Sequence, residues 1–396
     1  MKHIYFCTTH PSFSETFVTT EMQSLIDRGE EVLVYSLRKP PSALTPCTKY
    51  LKPPCSRLQL AMWSLPGLRV LIANLNAGLR FRPHNALRLL GAASHAARVA
   101  KMVRRLTRQG AVVLHAHFLD RPADVVAMLP TPGATKLVTV HAGDAYKRSD
   151  VALRDWRVAS FDTIICASDY VRRGLSERAS GIQVVHCGVA IPIGHERHID
   201  RAFTHVRVST VARLIRSKNH PYAAAVVEEL AARGISVEWH IVGDGPMEPW
   251  IRQFAETTTC NELRVVMHGA VAHDRSLALM RATDLMILPS QTEPTGSDGI
   301  PVALMEAMAS GVLAVSTPVG GIPELVIDGV TGLMGDPLDP HGCAAAIAGV
   351  LSNPGRMQEI VDNAFAHVHD SFNAYGSASE LVKLTQSRSQ LQGAPR

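Results

Sequence analysis

The chain has 396 residues, 46% of them hydrophobic and 19% charged, which suits two folded domains of ordinary size and excludes a disordered or fibrous protein. The net charge of +5 is unevenly spread: Val32 to Leu119 holds fourteen Lys or Arg and no Asp or Glu, so the remainder is net acidic. No apolar run reaches the roughly 20 residues of a bilayer span, because Leu60 to Leu79 is broken by Pro66, Arg69, Asn74 and Asn76. The opening run Ile4–Cys7 is too short for a secretory signal. The seven cysteines show no Cys-x-x-Cys spacing and read as reduced thiols, so a cytoplasmic location is expected.

In chain order, short apolar runs alternate with helix-length amphipathic segments, which is the α/β pattern. The first half offers strands at 3–8, 31–36, 112–118, 136–141, 163–167 and 183–188. The second offers 206–211, 237–242, 263–268, 285–288, 313–316 and 332–334. Their near-continuous apolar character predicts parallel strands buried on both faces. Ser14 is placed to cap a helix ending at Gly29, with Phe17, Met22, Leu25 and Ile26 as its core face. Pro221 opens another helix, reaching Arg233-Gly234. The polar stretch Pro192 to Arg201 reads as a linker. The expected organisation is a first doubly wound domain over 1–195, a second over 203–372, and a helix end with a polar tail over 373–396. Ligands of such sheets bind at the carboxyl ends of the strands.

The basic block also carries many Leu, Val and Ile. Two readings of it stay open: an interfacial surface for anionic lipid, or an ordinary solvated helix face. No helix-turn-helix, zinc or RNP-type pattern accompanies the charge, so no nucleic-acid partner is expected.

The densest chemistry lies in Asp298-Gly-Ile-Pro-Val-Ala-Leu-Met-Glu306-Ala-Met-Ala-Ser-Gly311. One carboxylate sits in a loop and a second, eight residues on, inside a short helix. Pro301 suits the first helical position and Gly311 the stop. The helix mouth can face an anion while the carboxylates accept hydrogen bonds from hydroxyls, a combination that fits a nucleotide sugar. Upstream, Ser209-Thr-Val-Ala-Arg213-Leu-Ile-Arg-Ser-Lys218 places an arginine and a lysine after a strand, and Val242-Gly-Asp-Gly245-Pro closes another.

From about Val206 to Pro340 these motifs resemble the C-terminal half of the family 4 glycosyltransferases, whose fold is GT-B. That family carries Gly-Arg-Leu…Lys-Gly, Gly-x-Gly-Pro, and Glu-x7-Glu followed by Ala-Met-Ala-x-Gly. Three positions depart from it: Asp298 stands for the first Glu, Ala212 for the Gly before the arginine, and Asn219 for the Gly after the lysine. The opening Phe6-Cys-Thr-Thr-His-Pro-Ser-Phe-Ser14-Glu-Thr-Phe17, with Leu114-His-Ala-His117-Phe and Val138-Thr-Val-His141-Ala-Gly-Asp144, resembles the bacterial exopolysaccharide, colanic acid-type subgroup.

The resemblance implies two Rossmann-like domains facing a cleft, and a retaining hexosyltransferase of the cell surface. Its donor would be a nucleotide sugar and its acceptor a lipid-linked oligosaccharide, at the inner face of the cytoplasmic membrane. His141, Arg213, Lys218 and Asp298 would be catalytic. Gly243, Gly245, Gly299, Ile300, Pro301 and Glu306 would bind the donor, and Ser14, Glu15 and Asp144 would lie on the acceptor side. His115 and His117 form a His-x-His pair, but no third and fourth ligand follows at metal-binding spacing, and Asp-x-Asp is absent, so no metal or other cofactor is expected. The alternatives are a GT-B nucleotide-sugar epimerase and a non-catalytic binding protein with a degraded donor site.

Overall fold

A computed structural model describes residues 1–10, 15–39, 48–50, 57–76, 79, 85–146, 151–175, 182–191, 197–293 and 297–393. It divides into two compact units, one of Met1–Cys187 with Ala374–Arg396 and one of Gly188–Asn373. The division thus falls before the 192–201 stretch read as a linker.

Unit 1 runs β1 (Lys2–Cys7), α1 (Thr16–Asp27), β2 (Glu31–Ser36), β3 (Thr48–Tyr50), α2 (Arg57–Asn76), α3 (Ala86–Thr107), β4 (Val112–His117), α4 (Arg121–Met128), β5 (Ala134–Val140), α5 (Ala142–Tyr146), α6 (Val151–Ala159), β6 (Thr163–Cys166), α7 (Asp169–Leu175) and β7 (Ile182–Val184). Unit 2 runs β8 (His205–Val211), α8 (His220–Ala232), β9 (Ser236–Val242), α9 (Glu248–Thr257), β10 (Leu263–Gly269), α10 (His273–Arg281), β11 (Leu285–Leu288), α11 (Val302–Ala309), β12 (Leu313–Ser316), α12 (Ile322–Leu325), β13 (Leu333–Met334), α13 (Pro340–Leu351) and α14 (Pro354–Ser371). The last helix, α15 (Ala374–Gly393), returns to unit 1.

The sheets are ordered β3-β2-β1-β4-β5-β6-β7 and β10-β9-β8-β11-β12-β13. All their pairings are parallel. In each, the chain winds outward from the first strand in one direction, then resumes on its other side. The order therefore reverses between β1 and β4 and between β8 and β11, where α/β sheets form their binding crevices.

Strands β4, β6, β11 and β12 are buried at every residue and read as largely apolar runs, whereas β9 alternates and β10 is mostly half-buried. In unit 1 the α3 and α4 side packs Leu89, Ala93, Val103 and Val126 against Ile4, Phe6 and Leu114. The other side joins Val18, Met22 and Leu25 of α1 with Ala378, Leu381 and Val382 of α15. In unit 2 the fully buried Trp239 fills one face, its indole N–H donating to Thr210 Oγ1 at 2.9 Å.

Several expectations need correction. Strand β3 was not foreseen, because three residues carry too little periodicity to register. Ile26 is 40% exposed, and Val18 takes the core position instead. Glu15, not Ser14, is the N-cap residue of α1, and Ser14 lies outside the described residues. Helices α14 and α15 are parted at Phe372–Asn373, where Asn373 bridges Val189.

Candidate active site

Unit 2 gathers its candidate residues after the carboxyl ends of β8, β9 and β11, at the point where the strand order reverses. The loop after β8 is held against the turn after β9 by backbone bonds. Ala212 N–H donates to the Val242 carbonyl at 3.0 Å, Leu214 N–H to that of Asp244 at 2.7 Å, and Met247 N–H to that of Leu214 at 2.8 Å. Gly243 has φ 140°, and a Cβ there would lie 1.8 Å from the Ala212 carbonyl oxygen. At Gly245 (φ 147°) it would lie 2.6 Å from the Leu214 oxygen. Both glycines are thus the condition for seating the Arg213 loop, and the Arg213 side chain is left exposed. Asn219, where the family has glycine, adopts φ 48°, ψ 51°. Asparagine is among the few non-glycine residues that take this left-handed conformation readily.

Lys218 reaches across to the loop after β11. Its Nζ lies 2.7 Å from Asp298 Oδ2, and the Ser290 hydroxyl donates to the same oxygen. The Asp298–Pro301 segment rests on the Gly320-Gly321 turn. Gly320 has φ 62° and passes so close that a Cβ would meet the Asp298 carbonyl oxygen at 1.8 Å, and Gly321 N–H donates to the Gly299 carbonyl at 3.2 Å. Ile300 is packed against Gly321. Pro301 is the N-cap residue rather than the first helical one, with ψ 124°, and no side chain caps α11. The first N–H groups of that helix have no intrahelical partner, which leaves them for an anion. Glu306 lies on α11 with its side chain 14% exposed and its carboxylate 3.6 Å from His273 Nε2. Burial pushes its carboxyl up to about 7, against the opposing pull of Arg281.

Residues 205–353 match the model of the glycosyl transferases group 1 family. Over 98% of this chain and all of its relative, the sequence is 27% identical to WcaL of Salmonella typhimurium, which is assigned to colanic acid biosynthesis as a glycosyltransferase. Over residues 205–353, most of unit 2, the chain is similar to the group 1 glycosyltransferases. Its fold is GT-B: S. aureus TarM, in complex with fondaparinux, alpha-GlcNAc-glycerol and UDP, superimposes with a TM-score of 0.69 at 11% identity, covering 97% of this chain and 99% of that one. Anabaena HepE in complex with UDP and glucose gives 0.66 at 17%, covering 98% and 100%.

Unit 1 has its own cluster at the ends of β1, β4 and β5. His141 follows β5, and its Nε2 is 3.3 Å from His117 Nδ1. Burial, reinforced by the neighbouring His117, lowers the His141 imidazole to about 3. Phe118, strained at φ 71°, places its ring 4.3 Å from that of His141. The Asp144 carboxylate accepts from His141 N–H at 3.1 Å, which pins the start of α5. Burial pushes Asp144 up to about 6, although the backbone N–H groups of His141 and Leu119 act against it. Glu15 is half-buried and raised by desolvation, with the His117 imidazole acting against the rise.

Glu21 was missed by sequence reasoning, as were Ser290, Phe118 and Gly320. Burial raises the Glu21 carboxyl, but His117, His115 and the Tyr5 hydroxyl outweigh it and hold it at about 2. No short-range pattern marks Glu21, which meets His117 across 96 residues of sequence. Ser290 follows the strand expected at 285–288, and its polarity after that apolar run was the available signal.

Proposed function

We propose that the enzyme transfers a hexosyl group, with retention, from a nucleoside diphosphate sugar to a lipid-linked saccharide of cell-surface or exopolysaccharide assembly. The observation that carries the donor half is the Lys218–Asp298 pair beside the uncapped start of α11. Breaking the bond from the anomeric carbon to the phosphate oxygen leaves growing negative charge on the diphosphate. Arg213 offers a forked contact, Lys218 a point charge, and α11 its N–H groups. In this reading those groups neutralise the phosphates without a metal ion. Glu306 accepts the ribose hydroxyls and Asp298 a hydroxyl of the donor sugar. A uridine donor is favoured because the solved relatives include HepE in complex with UDP-glucose.

The acceptor half rests on α2 and α3. Leu68, Ile72, Leu75 and Leu87 are exposed there among Arg69, Lys101, Arg104 and Arg105. Apolar and basic groups mixed on one surface suit an anionic bilayer at which a lipid-linked acceptor is met. Among the described residues no helix is long and apolar enough to cross a membrane, so attachment would be peripheral.

The test is a thermal-shift panel of UDP-, GDP- and dTDP-sugars with Glu306→Ala as control. Ligand at about 100 times its dissociation constant stabilises by roughly 2.7 kcal/mol. A shift by one nucleotide class in wild type alone supports the donor site, and no shift with any donor overturns it. Sedimentation with anionic vesicles at low salt tests the surface, and equal partitioning onto neutral vesicles at high salt would sink it. Nucleoside diphosphate release only in the presence of an acceptor would exclude an epimerase as the main activity, whereas conversion of the donor to its epimer without net release would favour it.

A further inference from the structure

We propose that Glu21, His115 and His117 form a binding site for a divalent transition metal of the zinc type, in unit 1 and distinct from the donor site. The two histidines stand two residues apart on β4, so strand alternation puts both rings on one face of the sheet. Helix α1 lies on that face and brings Glu21 to them. Glu21 Oε1 is 3.1 Å from His117 Nε2 and 3.6 Å from His115 Nδ1, and the three donor atoms all lie within 4.8 Å of one another. A tetrahedral ion with bonds of roughly 2.0–2.1 Å holds its ligands about 3.3 Å apart, so the two closer separations bracket that edge.

Two further observations favour coordination over a simple hydrogen-bonded cluster. His115 has no exposed surface, and its Nδ1 has no hydrogen-bond partner while it points at the carboxylate. A buried nitrogen left in that condition is costly unless something binds it. The far nitrogen of each ring is also engaged: His115 Nε2 lies 2.8 Å from Thr139 Oγ1, and His117 Nδ1 lies 3.3 Å from His141 Nε2. Ligating histidines use such outer contacts to fix tautomer and orientation. With the ion on His115 Nδ1 and His117 Nε2, His115 Nε2–H donates to Thr139 and His117 Nδ1–H donates to His141. Two imidazoles and one carboxylate suit zinc or its neighbours, whereas calcium and magnesium prefer all-oxygen sets. The Tyr5 hydroxyl, 2.5 Å from Glu21 Oε1, borders the same space. An ion here would lock the ring of His117 and, through it, that of His141.

The experiment uses the full chain, freed of any affinity tag and stripped by chelator, then titrated with Zn²⁺ by calorimetry and with Co²⁺ by visible absorption. The expected result is saturable binding stoichiometric with the chain, a four-coordinate cobalt spectrum, and a higher unfolding midpoint with metal. Glu21→Gln, which preserves shape, and His115→Asn each weaken binding by at least about 10–100-fold, the size seen even for outer-shell losses. His341→Asn and His369→Asn, at exposed histidines beside Glu229 and Asp370, leave it unchanged. No saturable binding by wild type would overturn the proposal. So would binding that survives Glu21→Gln or is lost in His341→Asn.

Discussion

The ammonium of Lys218 and the carboxylate of Asp298 meet at 2.7 Å across 80 residues of sequence, tying the loop after β8 to the loop after β11. On the proposed function the pair sets a competition, with the diphosphate and Asp298 both drawing on Lys218. Lys218→Ala is expected to cut kcat/KM by about 10²–10³, the equivalent of roughly 3–4 kcal/mol. Asp298→Asn removes the competing charge, so it should bind UDP more tightly than wild type while transferring sugar more slowly. Calorimetry with UDP beside a UDP-release assay separates the two, and weaker UDP binding by Asp298→Asn would count against the competition.

Gly320 is expected to tolerate no side chain. Alanine at φ 62° carries strain of order 1–3 kcal/mol, and its Cβ would strike the Asp298 carbonyl. Gly320→Ala should lower the unfolding midpoint and weaken UDP binding together, because the loop it displaces holds Asp298 and leads into α11. Loss of stability with unchanged UDP affinity would show that the turn does not set the donor loop.

Glu306 gives a pH dependence of defined sign. Its folded pKa of about 7 stands above the ordinary 4.5, so the native state holds the proton more tightly than the unfolded chain. The resulting stability is complete below about pH 4.5 and is lost as pH rises through about 7. Arg281 and His273, both from α10, face the group. Glu306→Gln should therefore gain on wild type as pH rises through that window, by at most about 3 kcal/mol. Hydroxyl donors favour the carboxylate, so UDP binding near pH 6 should release protons in wild type and not in Glu306→Gln. Calorimetry in buffers of different ionisation enthalpy counts them.

Asp124 tests unit 1 alone. It is fully buried between Arg157, whose Nε is 2.6 Å away, and Arg88, whose Nε is 3.0 Å away. Asp124→Ala leaves the nearly buried Arg157 without its counter-ion and should cost about 3–5 kcal/mol, read from denaturant unfolding followed by a unit 1 probe such as Trp156. A change below about 1 kcal/mol would mean that water replaces the carboxylate.

Among the described residues, twelve of thirteen strands were legible, because burial on one or both faces demands apolar residues at alternate or successive positions, whatever the tertiary detail. The phosphate and carboxylate motifs were legible because each is local: Arg213 to Lys218 and Asp298 to Glu306 are single loops or loop-helix joints. What stayed hidden depends on distant segments meeting. Glu21 looks like any polar residue of an amphipathic helix until β4 sets His115 and His117 beneath it. Pro301 could have stood inside α11 or just before it, and only its extended ψ decides. Ala212 and Asn219 read as departures from the family pattern. The structure accommodates Asn219 in its left-handed conformation, while a glycine that can carry no side chain sits opposite Ala212, at Gly243.

Helix α15 is synthesised only after the whole of unit 2, yet Ala378, Leu381 and Val382 complete the face of unit 1 begun by Tyr5 and Val18. The first unit therefore stays unfinished through the whole synthesis of the second. A nascent chain halted near Asn373 would hold unit 2 complete while an apolar strip of unit 1 stays uncovered. Termination near Asn373 thus removes no motif residue, yet leaves a surface that chaperones and proteases recognise.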